Sequence, residues 1–336
     1  MTTKQHREIY NKNLLHPWGD LSELGNDESS SVIVKGKGIH IFDSDGNKMI
    51  DGPAGMWCMQ TGYGRKEIAD AVSKQILSLS YATSFTLIND KETELAKRIS
   101  EQTPGDLNRI YFTTGGSTAV DSALRLCQLA NNIKGARNKK QIITREKAYH
   151  GSTYLSASVT GKERDKTAMD VKREGIHFLK APCHFYYPEF DNEDDFCDFL
   201  INELEEKIIE IGPENIMAFI AEPILASGGV IVPPKNYNYR CWEVVKRYNI
   251  IYIADEVVTA FGRLGYWFAS EHVFGIIPDI IIFAKGITSG YIPMGGYAVS
   301  EKFMSTFPGD EADGCLYSNG YTLSLIHISE PTRPRL

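Results

Sequence analysis

Short runs of β-forming residues alternate with longer amphipathic segments from Asn108 onward, and no other feature limits the possible folds of this chain as strongly. The runs cover residues 109–113, 141–144, 217–221, 250–254, 279–283 and 297–300, and the main amphipathic segments cover 117–132, 193–211 and 237–248. Such alternation is typical of repeated βαβ units, whose sheet is covered by helices on both faces. The sequence therefore predicts an α/β fold with a mostly parallel central sheet.

The first hundred residues follow a different pattern. Residues 1–31 are polar and rich in turn-forming residues, which predicts an arm or loop. Three short β-forming runs within 32–50, separated by turn residues, predict a small antiparallel meander. Apolar residues at helical spacing predict helices over 66–79 and 91–102.

The composition is that of an ordinary globular protein. Of 336 residues, 42% are hydrophobic and 24% are charged, which excludes collagen-like and intrinsically disordered classes. The net charge is −7 and no dense basic run is present, so nucleic acid is not an expected partner. No apolar stretch approaches the roughly 18 residues of a membrane span, and the polar residues 1–10 are unlike a signal peptide, so we expect a cytoplasmic protein. The six cysteines lack the spacing of a metal site or a disulfide framework, so no bound metal is expected.

The segment F-T-T-G-G-S-T-A-V-D-S-A-L-R-L, residues 112–126, is the first candidate for chemistry. A β-forming run ends at Gly115 and Gly116, and a helix begins at Ser117. Glycines let the backbone approach a ligand closely, and a helix N-terminus offers N–H groups to an anion such as phosphate. The alternative is an ordinary strand-to-helix turn in which Ser117 or Thr118 caps the helix.

A carboxylate and a lysine each follow a strand of buried type. Asp255 and Glu256 stand at the end of the run 250–254, where α/β sheets place their ligands. The alternative is that Asp255 caps the next segment and Glu256 pairs with Arg263. Lys285 directly follows the run 279–283 and Ala284, where desolvation favours a nucleophilic amine over a solvated surface lysine.

Together, a phosphate cradle, a buried carboxylate and a nucleophilic lysine are the parts of a pyridoxal phosphate site. Tyr149 could stack on the pyridine ring, and Trp57 in a glycine-rich loop could line a substrate pocket. Taken singly, both residues, and His150 beside Tyr149, are more typical of structural positions.

The chain closely resembles the class III aminotransferases of the fold type I pyridoxal phosphate superfamily, and among them the omega-amino acid or amine:pyruvate transaminases, over residues 16–322. The motifs that carry the resemblance are D-G-P-A-G-M-W-C-M-Q-T-G-Y-G-R, F-T-T-G-G-S-T-A-V-D, A-Y-H-G-S-T, A-E-P-I-L-A-S-G-G-V, A-D-E-V-V-T-A-F-G-R-L-G and F-A-K-G-I-T-S-G-Y-I-P-M-G-G, in the family's order.

The resemblance implies a role for each matching residue. Catalysis would rest on Lys285, which forms the internal aldimine with the cofactor, and on Asp255, which pairs with the pyridine nitrogen. The remaining implied positions are Gly116 and Ser117 at the phosphate, Val257 and Tyr149 on the ring, Glu222 near the cofactor, Trp57 at the substrate, and Thr322 at the phosphate of the partner subunit's cofactor. The last of these implies a homodimer with shared active sites.

Two departures from the family pattern stand out. Gly115 and Val120 replace the more common Ser and Asn of the phosphate motif. Residues 323–336 replace the family's C-terminal small domain, so we expect a truncated chain. We divide it into an N-terminal arm and small-domain segment (1–75), a large cofactor-binding domain (76–322) and a tail foreign to the family (323–336).

The function implied is transfer of an amino group from an amine or omega-amino acid to a keto acid such as pyruvate. Another reaction of the same superfamily, such as that of an aminomutase or a decarboxylase, would keep Lys285 and Asp255. A further alternative is an inactive fragment that lacks the C-terminal portion.

Overall fold

The computed structural model of the protein describes residues 1–83, 86–307, 309–312 and 315–317. These residues form two compact units, Met1–Lys66 and the part of the chain that begins at Glu67. Within the described ranges, no helix combines the length and the apolar character that crossing a membrane requires.

The first unit contains a helix, a three-stranded sheet and a single helical turn. Its elements are α1 (Thr3–Asn13), β1 (Ile33–Lys37), β2 (His40–Asp43), β3 (Lys48–Ile50) and α2 (Ala54–Trp57). The strands pair in the order β1-β2-β3, each antiparallel to its neighbour, so the predicted meander is confirmed.

Helix α1 shows that the expectation of an arm or loop over residues 1–31 was wrong for 3–13. The Thr2 hydroxyl accepts a hydrogen bond from the Gln5 N–H (3.2 Å), and the Gln5 side-chain oxygen accepts one from the Thr2 N–H (2.9 Å). This reciprocal capping box fixes the start of the helix. No side chain of α1 is buried, so the segment lacks the apolar stripe that reveals a helix in a sequence.

The turn α2 is left-handed. Its φ angles are 49° at Ala54, 58° at Gly55, 74° at Met56 and 63° at Trp57. The Trp57 N–H donates to the Pro53 carbonyl (2.7 Å), and the Cys58 N–H donates to the Ala54 carbonyl (3.0 Å). A left-handed backbone costs a non-glycine residue ~1–2 kcal/mol, so the three non-glycine residues of this turn need support from their surroundings.

The second unit is built on a seven-stranded sheet. Its strands are β4 (Arg109–Thr113), β5 (Gln141–Arg145), β6 (Ile176–Leu179), β7 (Ile216–Ala221), β8 (Ile251–Asp255), β9 (Ile280–Phe283) and β10 (Gly295–Val299), in the order β4-β10-β9-β8-β7-β5-β6. All neighbours pair in parallel except β10, which is antiparallel to both β4 and β9. The predicted α/β fold with a mostly parallel sheet is confirmed, and β6 is a strand that the sequence analysis did not predict.

The α-helices described from residue 66 onward are α3 (Lys66–Ser78), α4 (Asp90–Ser100), α5 (Gly116–Ile133), α6 (Tyr154–Val159), α7 (Glu193–Ile211), α8 (Tyr237–Arg247), α9 (Ala269–His272) and α10 (Glu301–Met304). Residues of α7 and α8 pack in the core cluster on one face of the sheet, and residues of α5 pack in the cluster on the other face. All five predicted helices are present, with ends shifted by no more than two residues.

The interior strand β7 illustrates why the sheet could be predicted from the sequence. All six of its residues are buried, and successive side chains point to opposite faces. Phe219 belongs to the core cluster that contains Leu204 of α7 and Val245 of α8, whereas Ile220 belongs to the cluster that contains Leu124 of α5. Each such side chain contributes about 1.5–3 kcal/mol on burial, so a strand of this kind must be apolar on both faces.

Candidate active site

A cavity of about 270 Å³ lies where β4 and β9 end, the side of an α/β sheet on which ligands bind. Gly115 and Gly116 line it from the end of β4, and Ala284 and Lys285 line it from the end of β9. The other lining residues are Thr114, Thr288, Gly290, Ile292, Pro293 and Met294. Two segments singled out in the sequence, the glycine turn and the lysine, therefore meet in one cavity.

The glycine turn is organised to present the start of α5. Gly115 is the N-cap, with no capping side chain, so the interpretation of Ser117 or Thr118 as the N-cap was wrong. The Gly115 carbonyl accepts hydrogen bonds from the Thr113 and Thr118 hydroxyls, both at 2.9 Å. A Cβ atom on Gly115 would meet no atom within 4 Å. Open space thus lies beside the N–H groups of an 18-residue helix, an arrangement suited to an anion.

Ser117 connects this turn to the loop that follows Tyr149. Its Oγ accepts a hydrogen bond from the Ser152 N–H (3.0 Å), which leaves the hydroxyl hydrogen available to an anion. Gly151 lies so close that a Cβ atom there would be 2.5 Å from the Ser117 Oγ, and its φ is 135°. Only glycine fits at this position, and the fit holds the loop against the start of α5.

Asp255 and Val257 reach the same edge of the sheet. Asp255 pairs with Ile282 in the register of β8 and β9, three residues before Lys285. A Cβ atom on Gly116 would lie 3.2 Å from the Val257 Cγ2 and 3.6 Å from the Ala284 Cβ. Val257 is therefore in close contact with the glycine turn.

His150 lies against Asp255. The His150 Nδ1 is 2.7 Å from the Asp255 Oδ2, and the Val257 N–H donates to the other carboxylate oxygen (3.2 Å). Both side chains are almost fully buried, at 0% and 4% exposure. The His150 Nε2 has no hydrogen-bond partner among the described residues. Because a carboxylate oxygen accepts hydrogen bonds, Nδ1 is the donor in this contact. The sequence favours a structural role for this histidine, and no local pattern in it indicates the contact with Asp255.

Glu222 is a second buried acid of the site. Its carboxylate accepts hydrogen bonds from the Tyr149 N–H (2.8 Å) and the Ala226 N–H (3.1 Å), and Arg145 donates to its backbone carbonyl. Burial, with Asp255 nearby, raises the pKa of Glu222 to about 7, against the opposing effect of His150. Glu222 thus holds the backbone of Tyr149 in place, and burial disfavours the charged form of the Glu222 carboxylate.

The Tyr149 side chain faces Ser152 and Lys162. Its hydroxyl lies 2.8 Å from the Ser152 Oγ, and the Lys162 Nζ lies 5.7 Å from its ring centroid. Burial raises the pKa of Tyr149, so the phenol stays protonated at neutral pH. The neutral ring is suited to stacking on an aromatic ligand.

Glu256, the neighbour of Asp255, binds residues of the segment that follows it in the chain. Its fully buried carboxylate accepts hydrogen bonds from the Thr259 hydroxyl (3.1 Å), the Ala269 N–H (2.7 Å) and both donors of Ser270. These bonds join the end of β8 to the start of α9. Of the two adjacent acids, Asp255 contacts His150, whereas Glu256 joins β8 to α9.

Two further predicted site residues lie outside the described part of the second unit. Trp57 lies in the first unit, in the left-handed turn α2. Thr322 lies outside the described residues, as do residues 323–336.

The sequence and the fold both match known proteins. A family model described as "Aminotransferase class-III" matches residues 22–324. The chain is 38% identical over 325 residues to a putrescine–pyruvate aminotransferase of Pseudomonas aeruginosa, an alignment that covers 96% of this chain and 70% of that protein. A thermostable (S)-enantioselective omega-transaminase from Thermomicrobium roseum superposes with a TM-score of 0.92 at 34% identity, covering 98% of this chain and 73% of that one.

A further similar structure is a thermostable omega-transaminase variant in which a tryptophan is replaced by glycine, engineered for asymmetric synthesis of enantiopure bulky amines. It superposes with a TM-score of 0.91 at 32% identity, covering 96% of this chain and 72% of that one. The chain thus spans 70 to 73% of the length of the three proteins it is compared with.

Proposed function

The chain belongs to the class III aminotransferases, and on that premise we propose that it moves an amino group from an amine or omega-amino acid to a keto acid such as pyruvate, with pyridoxal phosphate as cofactor. One observation carries the proposal. Lys285 lines the same cavity as the glycine turn at the start of α5. An amine nucleophile and an anion cradle in one cavity are what this cofactor requires.

The residues present fit the cofactor's phosphate. Open space lies beside Gly115, where even a Cβ atom would meet no other atom within 4 Å, and the helix N-terminus supplies N–H donors and positive potential. We infer that Gly116 and Ser117 hold the phosphate, Gly116 through its backbone and Ser117 also through its hydroxyl hydrogen.

Three further side chains suit the pyridine ring. Val257, in contact with the glycine turn, and the neutral ring of Tyr149 supply apolar and aromatic contacts. Asp255 accepts two hydrogen bonds and retains lone pairs for another donor. We infer that this carboxylate keeps a proton on the pyridine nitrogen through a charge-assisted hydrogen bond.

The proton transfers are assigned to Lys285. When bound, the cofactor supplies an electron sink for the carbon that loses its proton. Lys285 Nζ takes the proton from the carbon that carries the donor's amino group, as general base, and returns a proton as general acid. The backbone of Lys285 has a φ of 45°, a strained conformation of the kind that occurs at catalytic positions.

His150 and Glu222 are inferred to act through their neighbours. His150 orients the Asp255 carboxylate by donating from Nδ1, and Glu222 orients Tyr149 through the backbone N–H. Neither side chain is assigned a contact with the substrate.

The substrate class rests on the relatives. One relative is named for putrescine, an amine, and for pyruvate, and this supports an amine donor with pyruvate as acceptor for this chain. In the engineered variant, replacement of a tryptophan accompanies the synthesis of bulky amines by a similar enzyme. We infer that Trp57 contacts the substrate.

The assembly is a separate part of the proposal. We infer a homodimer in which Thr322 reaches the phosphate of the partner subunit's cofactor. Analytical ultracentrifugation of the chain with pyridoxal phosphate tests this, since a monomer that forms alanine from pyruvate would overturn it.

The reaction is tested by mixing the purified chain with pyridoxal phosphate, an amine donor and pyruvate, and measuring alanine. We expect alanine from the wild type and none from Lys285→Ala. Lys97→Ala, which alters a lysine exposed on α4, is the matched control and should leave the rate unchanged. Alanine formation by Lys285→Ala at the wild-type rate would refute the assignment.

A further inference from the structure

The left-handed turn α2 is held from one side by Asp51. The Asp51 Oδ2 accepts a hydrogen bond from the Gly55 N–H at 2.8 Å, and the Asp51 carbonyl accepts one from the Ala54 N–H at 3.1 Å. The aspartate thus binds the turn at its first two residues. Because three of the four residues in the turn are not glycine, these bonds oppose its relaxation to an ordinary backbone conformation.

The same carboxylate oxygen is bound by Tyr63. The Tyr63 hydroxyl donates to the Asp51 Oδ2 at 2.6 Å. This bond stabilises the neutral phenol and raises the pKa of Tyr63 to about 12. One oxygen atom therefore joins the turn to a tyrosine that follows it in the chain.

Tyr63 is in turn fixed to the three-stranded sheet. Its N–H donates to the Gly38 carbonyl (2.8 Å), and its carbonyl accepts from the Gly38 N–H (3.0 Å). A Cβ atom on Gly36 would lie 2.6 Å from the Tyr63 Cγ, so the Tyr63 side chain lies directly against a glycine of β1. A continuous set of contacts thus runs from the sheet through Tyr63 and Asp51 to the turn.

We propose that Asp51 and Tyr63 are positioning residues that hold the left-handed turn and thereby fix the Trp57 indole, which sets how strictly the enzyme selects amines by size. The inference rests on the proposed function, because it takes Trp57 to contact the amine. Neither residue is assigned contact with substrate. Loss of the Tyr63 hydroxyl frees the Asp51 carboxylate to move, and the turn then relaxes and the indole with it.

The test compares Tyr63→Phe, Asp51→Ala and Asp51→Asn with the wild type. Tyr63→Phe keeps the ring on Gly36 and removes only the hydroxyl. Asp51→Asn keeps a side-chain oxygen that can accept both hydrogen bonds, whereas Asp51→Ala removes it. Tyr10→Phe is the matched control, since it removes a hydroxyl from α1 of the same unit.

Two readouts are measured. The first is the ratio of kcat/KM for a small aliphatic amine to that for a bulky aryl amine, each with pyruvate. The second is the ¹⁹F resonance of 5-fluorotryptophan at Trp57, assigned with Trp57→Phe. We expect Tyr63→Phe and Asp51→Ala to change the ratio by roughly tenfold and to shift or broaden the resonance, and Asp51→Asn and Tyr10→Phe to stay near the wild type.

The outcomes separate this inference from the proposed function. An unchanged resonance and an unchanged ratio in both Tyr63→Phe and Asp51→Ala would overturn the positioning role. If Asp51→Ala does not fold, Tyr63→Phe alone decides. A wild type that forms no alanine would refute the proposed function, and the resonance would still show whether Asp51 and Tyr63 hold the turn.

Discussion

His150 and Asp255 form a buried pair in which the histidine Nδ1 lies 2.7 Å from the carboxylate Oδ2. The contact joins a loop after β5 to the end of β8, two parts of the chain separated by 105 residues. Because the Asp255 carboxylate is almost fully buried, its orientation depends on such donors rather than on water.

Replacing His150 with alanine should impair the reaction without preventing cofactor binding. A hydrogen bond to a charged group contributes about 1.5–3 kcal/mol, which predicts a roughly 10- to 100-fold lower kcat/KM. His150→Asn is the control, because its amide can donate from a position close to that of Nδ1, and it should retain more activity than His150→Ala. Equal activity of wild type and His150→Ala, measured as alanine formation, would contradict the role.

Replacing the adjacent acids Asp255 and Glu256 should have different consequences: the first change should lower activity, and the second should lower stability. Asp255→Asn should lower kcat by roughly 10²–10⁴-fold with little change in thermal stability, because proton abstraction depends on this carboxylate. Glu256→Gln should instead destabilise the fold by about 1–3 kcal/mol, because an amide cannot accept all four hydrogen bonds. Urea denaturation and steady-state rates separate the two effects, and a reversed pattern would show that the roles are exchanged.

Two glycines at the phosphate cradle should tolerate substitution unequally. Gly295→Ala would put a Cβ atom 2.6 Å from the backbone carbon and oxygen of Gly115, so we expect a displaced turn, a loss of about 1–3 kcal/mol and at least roughly tenfold weaker cofactor binding. Gly115→Ser meets no atom within 4 Å of its Cβ and has extended backbone, so it should bind the cofactor as well as the wild type. Titration with pyridoxal phosphate, followed by absorbance, measures both. Equal losses of cofactor affinity in Gly295→Ala and Gly115→Ser would contradict the close approach of Gly295 to the Gly115 backbone.

Glu222 should make stability depend on pH. Burial raises its pKa from 4.5 to about 7 in the folded state, so folding favours the protonated acid. That contribution is fully present below pH 4.5 and is lost as the pH rises through 7, a difference of roughly 3 kcal/mol.

Glu222→Gln is the comparison for that pH dependence, because an amide does not ionise. The glutamine side chain cannot accept hydrogen bonds from both the Tyr149 and Ala226 N–H groups, so the variant loses stability by an amount that does not vary with pH. We therefore expect the free energy of unfolding of the wild type to fall relative to the variant between pH 4.5 and 7.5, and parallel curves would refute the shift.

The sheet could be predicted because its strands are buried on both faces. The runs that became β8 and β9 are apolar without interruption, since each face is covered by helices. Strand β6 was missed because it lies at the edge of the sheet and carries the half-buried His177 and Phe178. Helix α1 was missed because no side chain of it is buried.

Only those residues of the candidate site that come directly after a strand could be predicted from the sequence pattern. Lys285 and Asp255 stand at strand ends that the sequence marks with apolar runs. The pairing of His150 with Asp255 is a tertiary contact that no local pattern encodes. The left-handed turn was equally hidden, because Met56 and Trp57 do not favour a positive φ and only their surroundings impose it.

The antiparallel strand β10 has a consequence for how the protein forms during synthesis. It inserts between β4 and β9, yet it leaves the ribosome after both of them. At about 5–20 residues per second, the glycine turn after β4 exists for many seconds before β10 can join it to Lys285. During that interval β4, whose neighbour in the described sheet is β10, presents unpaired N–H and C=O groups that can associate with other chains. The cavity that Gly115, Gly116 and Lys285 line is therefore completed late, when β10 closes the sheet.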